Sequence, residues 1–293
     1  MSGFLRHISL WALTVLFSWT TVLLASGPLR ALRLSSPFWV FWPMATAVSA
    51  AIWFAGFPYV ACGFAAVVLV VGLFTEIEEW GMSRGAAGFG SIVALVAAVG
   101  TGFGAWCRSM KIAPATWLTK WVEPMIANMK EVYPTLEVDA DVIVSQLPSV
   151  LVILGLVALA IAVLSERTWL RALAAPPERF DREKWTSFKV WDVSIYVLML
   201  ALLAALTRHG IKPMTIIGTN VLNVLVVLYF FQGMAVIFKA FDVFAVGPIW
   251  RLFIGFVLTF QLAIVVAVLG VADYWLDFRD RLTRRPVGPK AEL

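Results

Sequence analysis

Three carboxylates crowd the end of an apolar run: Glu76, Glu78 and Glu79, with Trp80 beside them. Acids this close repel one another, which favours uptake of a proton or a cation; on an ordinary loop end the same cluster is simply solvated. A second set of polar residues is uncharged. Asn220, Asn223 and Gln232 interrupt one long apolar run, and Gln261 interrupts the next. Amides surrounded by lipid need partners, so they either join helices or line a cavity, and these four are the candidate ligand-binding residues. At 100° per residue Asn220 and Asn223 lie near one face, whereas Gln232 falls half a circumference from Asn223. One straight helix therefore cannot aim all of them at one ligand, and Gln232 also reads as a residue that joins helices.

The remaining chemistry is sparse. His7 and His209 are the only histidines, near opposite ends of the chain. No zinc-protease pair, serine elbow, pair of intramembrane aspartates or phosphate-binding loop is present. Cys62 and Cys107 lie in or at the end of apolar runs and form no redox motif. The expectation is a non-enzymatic protein with no metal site and no cofactor.

The elements that must carry these residues are set by composition. Of 293 residues, 61% are apolar and 14% charged, and the mean hydropathy is +0.88, too apolar for a water-soluble core of this size to hide. The formal charge of +5 comes without the basic, aromatic-interleaved pattern of a nucleic-acid surface, so the bilayer and its anionic headgroups are the expected partner.

A helix needs about 20 apolar residues to cross the hydrocarbon core. That criterion gives an all-α, polytopic transmembrane bundle of about eight spans: residues 8–26, 38–56, 58–75, 85–107, 147–165, 190–207, 213–238 and 252–272. The whole chain, 1–293, reads as one transmembrane domain. The stretch 38–75 is two spans if Gly56-Phe57-Pro58 makes a tight turn, and one long broken helix otherwise. Between the fourth and fifth spans, Trp117, Trp121, Met125 and Met129 recur at helical spacing with Lys120, Glu123 and Lys130 opposite. This predicts an interfacial amphipathic helix over 115–131. In the fourth span Gly90, Ala94, Ala98 and Gly102 recur every fourth residue, a stripe that lets helix backbones approach, expected to pack within the bundle or against another membrane subunit. The last span gives way to a basic tail, 279–293.

Several motifs in the second half carry a family resemblance. These are Leu147-Pro148 at the fifth span, Asn220-Val-Leu-Asn223 and Phe231-Gln232-Gly233 in the seventh, and Gly270-x-x-Asp273-x-Trp275-x-Asp277-Phe278-Arg279 at the end of the eighth. From about residue 140 onward the chain resembles the YybS-like family, a bacterial membrane-protein domain of unknown function. That family is distantly similar to the substrate-binding membrane subunits of energy-coupling-factor vitamin transporters. The resemblance implies a multi-pass protein of the bacterial cytoplasmic (inner) membrane. Two functions stay open: a small-molecule binding or transport component, and a membrane-embedded assembly partner or scaffold subunit of a larger complex.

Overall fold

The computed structural model describes residues 3–133, 138–173, 186, 188–206 and 212–283. Among them there are twelve helices and no strand, and the chain divides into two compact units, 1–180 and 181–293.

Helix α1 (Gly3–Thr20) opens the first unit, with Leu10, Thr14 and Ser18 buried along one edge. The first span expected over 8–26 is corrected: the helix stops at Thr20, Thr21 is extended, a 3-10 turn spans Val22–Ala25, and α2 (Ser26–Ser35) starts afresh. Pro28 explains the restart, because proline has no N–H for the preceding turn and is tolerated in the first turn of a new helix. Helix α2 is buried from Ser26 to Arg33. Gly27 brings it against the later helix α7 (Ala140–Ala172), where a Cβ at Gly27 would lie 2.3 Å from Ser165 Oγ.

The stretch 38–75 is two helices, α3 (Phe38–Phe54) and α4 (Pro58–Glu79). Gly56 makes the turn at φ 92°, a conformation open to a residue without Cβ, and Pro58 begins α4. Helix α5 (Arg84–Ser109) follows, and α6 (Pro114–Val132) falls where the amphipathic helix is expected. Its Trp117 packs on Trp106 of α5 at 5.1 Å between ring centroids, and its Trp121 meets Tyr59.

Among the described residues the small-residue stripe of α5 packs within the chain only at its start. Gly90 and Ala94 are half-buried, whereas Ala98 and Gly102 are exposed, and a Cβ at Gly102 would meet nothing within 4 Å. The cause is the position of the neighbours: every buried residue of α5 except Cys107 lies at or before Leu95.

The second unit holds α8 (Ser194–Leu206), α9 (Lys212–Val243), α10 (Pro248–Phe260), α11 (Ala263–Leu276) and α12 (Phe278–Thr283). Helices α9 and α11 cross in near backbone contact. A Cβ at Gly233 would lie 2.0 Å from Val266 O, and one at Gly270 would lie 1.9 Å from Tyr229 O, so only glycine fits at either position. The uninterrupted eighth span expected over 252–272 is corrected to α10 and α11, which meet at 97°. Two anchors pull them apart. The glycine crossing holds α11 along α9, while Arg251 of α10 donates to Asp242 Oδ1 (2.6 Å) and to the carbonyls of Phe241 and Val246 at the end of α9. Asp277, at φ 43°, then separates α11 from α12. Of the basic tail, 284–293 lies outside the described residues.

Helices α4, α5, α7 and α9 are long and apolar enough to cross a membrane, and the bent α10–α11 pair adds a fifth candidate if it is one span. Helices α3 and α8 are shorter apolar helices. Each of the eight expected segments contains a helix, but not every one has the length of a full crossing.

The crossing generates a test. Gly233→Ala is expected to destabilise the protein by about 1–3 kcal/mol or more, because backbone rather than a side chain must shift. Gly102→Ala is expected to be neutral or slightly stabilising. Unfolding midpoints in detergent, read by intrinsic fluorescence, compare the two.

Candidate functional site

The functional candidate with the most developed chemistry is a set of charges enclosed in the first unit. It begins with α2, whose ten residues place Arg30 and Arg33 one turn apart. On α4 the last turn places Glu76 and Glu79 at the same three-residue spacing, with Glu78 between them. The matching spacings let two arginines meet three acids across one helix contact.

Arg30 is the centre. Its side chain is fully buried, and Nε donates to Glu166 Oε2 on α7 at 2.8 Å, while Nη2 donates to Glu78 Oε2 at 2.6 Å. Nη1 reaches Thr75 Oγ1 at 3.4 Å, and the guanidinium lies 4.8 Å from the centre of the Phe74 ring, a cation–π arrangement. Arg33 grips Glu76 with two parallel bonds, Nε to Oε1 at 2.6 Å and Nη2 to Oε2 at 2.7 Å, and Nη2 also reaches Glu79 Oε2 at 2.7 Å. Trp42 Nε1 of α3 donates to Glu76 Oε1, and Arg84 at the start of α5 donates to Glu78 Oε1. Hydrogen bonding to Glu76, reinforced by the charge of Glu79, raises the Arg33 guanidinium above its usual pKa, so it is charged at any physiological pH.

Glu166 differs from its neighbours. Its side chain is 0% exposed, Oε2 is held by Arg30, and Oε1 has no hydrogen-bond partner among the described residues. A buried carboxylate oxygen without a donor is costly, so this atom is where the cluster is chemically incomplete.

The residues proposed from sequence fare differently. Glu76, Glu78 and Glu79 are not a solvated loop end, because each is ion-paired. Arg30, Arg33 and Glu166 were not singled out from sequence; the shared three-residue spacing of the arginines and acids was the available signal. In the second unit, Gln232 is buried and both ends of its amide are used: Oε1 accepts from Val190 N–H at 2.9 Å, and Nε2 donates to Asp273 Oδ2 at 3.2 Å. Arg279 donates to the same Oδ2 at 2.7 Å and to the carbonyl of Phe188. Gln232 therefore joins helix to helix and to the chain before α8. Asn220 and Asn223 are half-buried on α9, and Asn220 Nδ2 donates to Ile216 O within its own helix. Gln261 is exposed at the break between α10 and α11. Because Val266 meets Gly233 and Gly270 meets Tyr229, α11 runs antiparallel to α9. Gln261 therefore lies beyond the level of Gly233, about 15 Å or more along α9 from Asn223. The four amides do not form one site. Among the described residues no group of acids, histidines and cysteines has the geometry to hold a metal.

Removal of Arg30 gives the measure of the cluster. Arg30→Met leaves Glu78 and Glu166 enclosed without their shared partner, and a loss of about 3–5 kcal/mol is expected. Arg84→Met removes a guanidinium that is 28% exposed, and a loss of less than about 1 kcal/mol is expected. Chemical unfolding in detergent distinguishes them, and equal losses would mean that Arg30 is not the centre.

The model of a family described as "Predicted membrane protein (DUF2232)" matches residues 116–274, more than half of the chain. The matched region runs from α6 to Tyr274 and takes in Glu166, Gln232 and Asp273, while Arg30, Arg33 and the acids of α4 precede it. No curated protein and no solved structure matches the chain.

Proposed function

We propose, from the premise that the chain belongs to this family of predicted membrane proteins, that it is a non-enzymatic small-molecule binding or transport component of the bacterial cytoplasmic membrane, with a proton or small cation engaging Glu166. The observation that carries the reading is the fully buried carboxylate on α7, one oxygen held by Arg30 and the other without a partner. Ionisable residues withdrawn from water in a membrane helix are costly, and they characteristically mark substrate and ion paths. Arg30 links two acids on two different helices, so a change of charge at Glu166 is felt at Glu78 on α4. The resemblance to the YybS-like family, and through it to substrate-binding subunits of energy-coupling-factor transporters, supports the same reading.

A second reading, a membrane-embedded assembly partner in a larger complex, draws on α10. That apolar helix has no buried residue, so its sides are open to lipid or to another subunit.

Proton uptake decides between them. The purified chain is reconstituted into liposomes loaded with a pH-reporting dye, and uptake is driven by an imposed potential. The parent is expected to take up protons, and Glu166→Gln to abolish uptake while accumulating normally and unfolding at a similar temperature. Absence of uptake by the parent, or unchanged uptake by Glu166→Gln, rejects the transport reading.

A further inference from the structure

We infer that the cleft at the C-terminal end of α5 binds one anionic phospholipid. The cleft has a volume of about 600 Å³ and is lined by Thr101, Gly104, Ala105, Arg108, Ile112 and Pro114. Thr101, Ala105 and Arg108 follow at i, i+4 and i+7, so they form one line along the helix that ends at a guanidinium. The walls of that line are apolar in effect, because Thr101 Oγ1 is already bonded to Ala97 O at 2.6 Å. Its floor is open: a Cβ at Gly100 or Gly104 would meet nothing within 4 Å.

The two ends of the cleft differ in chemistry. At the wet end stands Arg108, in the last turn of α5; Lys111, in the turn that follows, does not line the cleft but comes three residues after Arg108. Both are exposed, and neither side chain makes an ion pair or hydrogen bond among the described residues. The same end carries Trp106, Trp117 and Trp121, whose rings pack in series at 5.1 and 5.5 Å. Tryptophans in series, together with the start of the amphipathic helix α6, mark headgroup depth.

A trough that is apolar for more than a helical turn and ends in Arg108, with Lys111 in the turn beyond and neither cation paired among the described residues, has the chemistry of a phospholipid. The acyl chain lies along Thr101 and Ala105, and the phosphate meets Arg108 and Lys111. A net anionic headgroup is favoured over a zwitterionic one because it brings no cation to face the two basic residues. A free phosphate ion would leave the apolar trough unfilled. The site lies at the opposite end of α5 from Arg84 and does not depend on the role of Glu166.

The test uses the full chain in nanodiscs of phosphatidylcholine doped with phosphatidylglycerol, followed by native mass spectrometry of the released protein. The parent is expected to retain one phosphatidylglycerol in preference to phosphatidylcholine, and excess inorganic phosphate is expected not to displace it. Arg108→Gln and Lys111→Gln should each weaken retention by about fivefold, the usual worth of one basic residue near an anionic surface. Gly104→Leu, whose Cβ would meet nothing within 4 Å, should remove the lipid without lowering the unfolding temperature. Equal retention of the two lipids by the parent, displacement by phosphate, or undiminished retention in the Gly104→Leu protein overturns the inference.

Discussion

A guanidinium enclosed by helices has no water to share its charge, and that single constraint organises the first unit. Arg30 can be buried only if carboxylates come to it, and they come from two helices, Glu78 from α4 and Glu166 from α7. Because both acids lie near the C-terminal ends of their helices, α4 and α7 are held parallel with those ends level. The short helix α2 is drawn into the bundle rather than left on its surface. Its approach to α7 is close enough that a Cβ at residue 27 would require Ser165 and Trp169 to shift. Arg33 repeats the device one turn later with Glu76 and Glu79. The acids in turn need the arginines, since carboxylates at a helix C-terminus meet the negative end of the macrodipole.

The second unit meets the same lack of water in another way. Its glycines at 233 and 270 bring α9 and α11 into backbone contact, and Gln232, Asp273 and Arg279 tie that crossing to the chain before α8. The motifs that carry the family resemblance contain these same residues. Their spacing is thus explained by packing and by the demand that every buried amide and carboxylate find a partner. Among the described residues one buried side-chain atom escapes the rule in each unit, Glu166 Oε1 and Asp273 Oδ1. They are not equivalent, because the other oxygen of Asp273 is held by both Arg279 and Gln232, whereas Glu166 is held by Arg30 alone.

The two open functions differ in what they ask of the polar residues. Asn220, Asn223, Gln232 and Gln261 cannot all gather around one ligand from where α9 and α11 place them, and the proposed binding or transport role draws on the charges of the first unit instead. Those charges sit where the ends of α4 and α7 and the start of α5 gather. Much of α5 and α10 is open under either function.

Composition and periodicity were sufficient for the all-α class of the fold and for a helix in each apolar segment and over α6, and they marked Gly56 and Pro58 as the place where 38–75 turns if it holds two helices. Each of these follows from local physics: apolar length against bilayer thickness, a 3.6-residue stripe, and the backbone preferences of glycine and proline. The break at Thr21 was missed although Pro28 marks a local restart, and the bend at Gln261 was not legible, because it depends on two anchors at the two ends of one apolar run. The ion pairs of Arg30 were equally out of reach. They join residues 136 and 48 positions apart, and an arginine ten residues past an apolar helix looks the same in sequence whether it enters the bundle or remains in water. What the sequence by itself determined was therefore which segments leave water. Which polar groups leave with them, and what each one meets there, was decided only by the tertiary structure, because partners for a buried charge are set by distance in space and not by spacing along the chain.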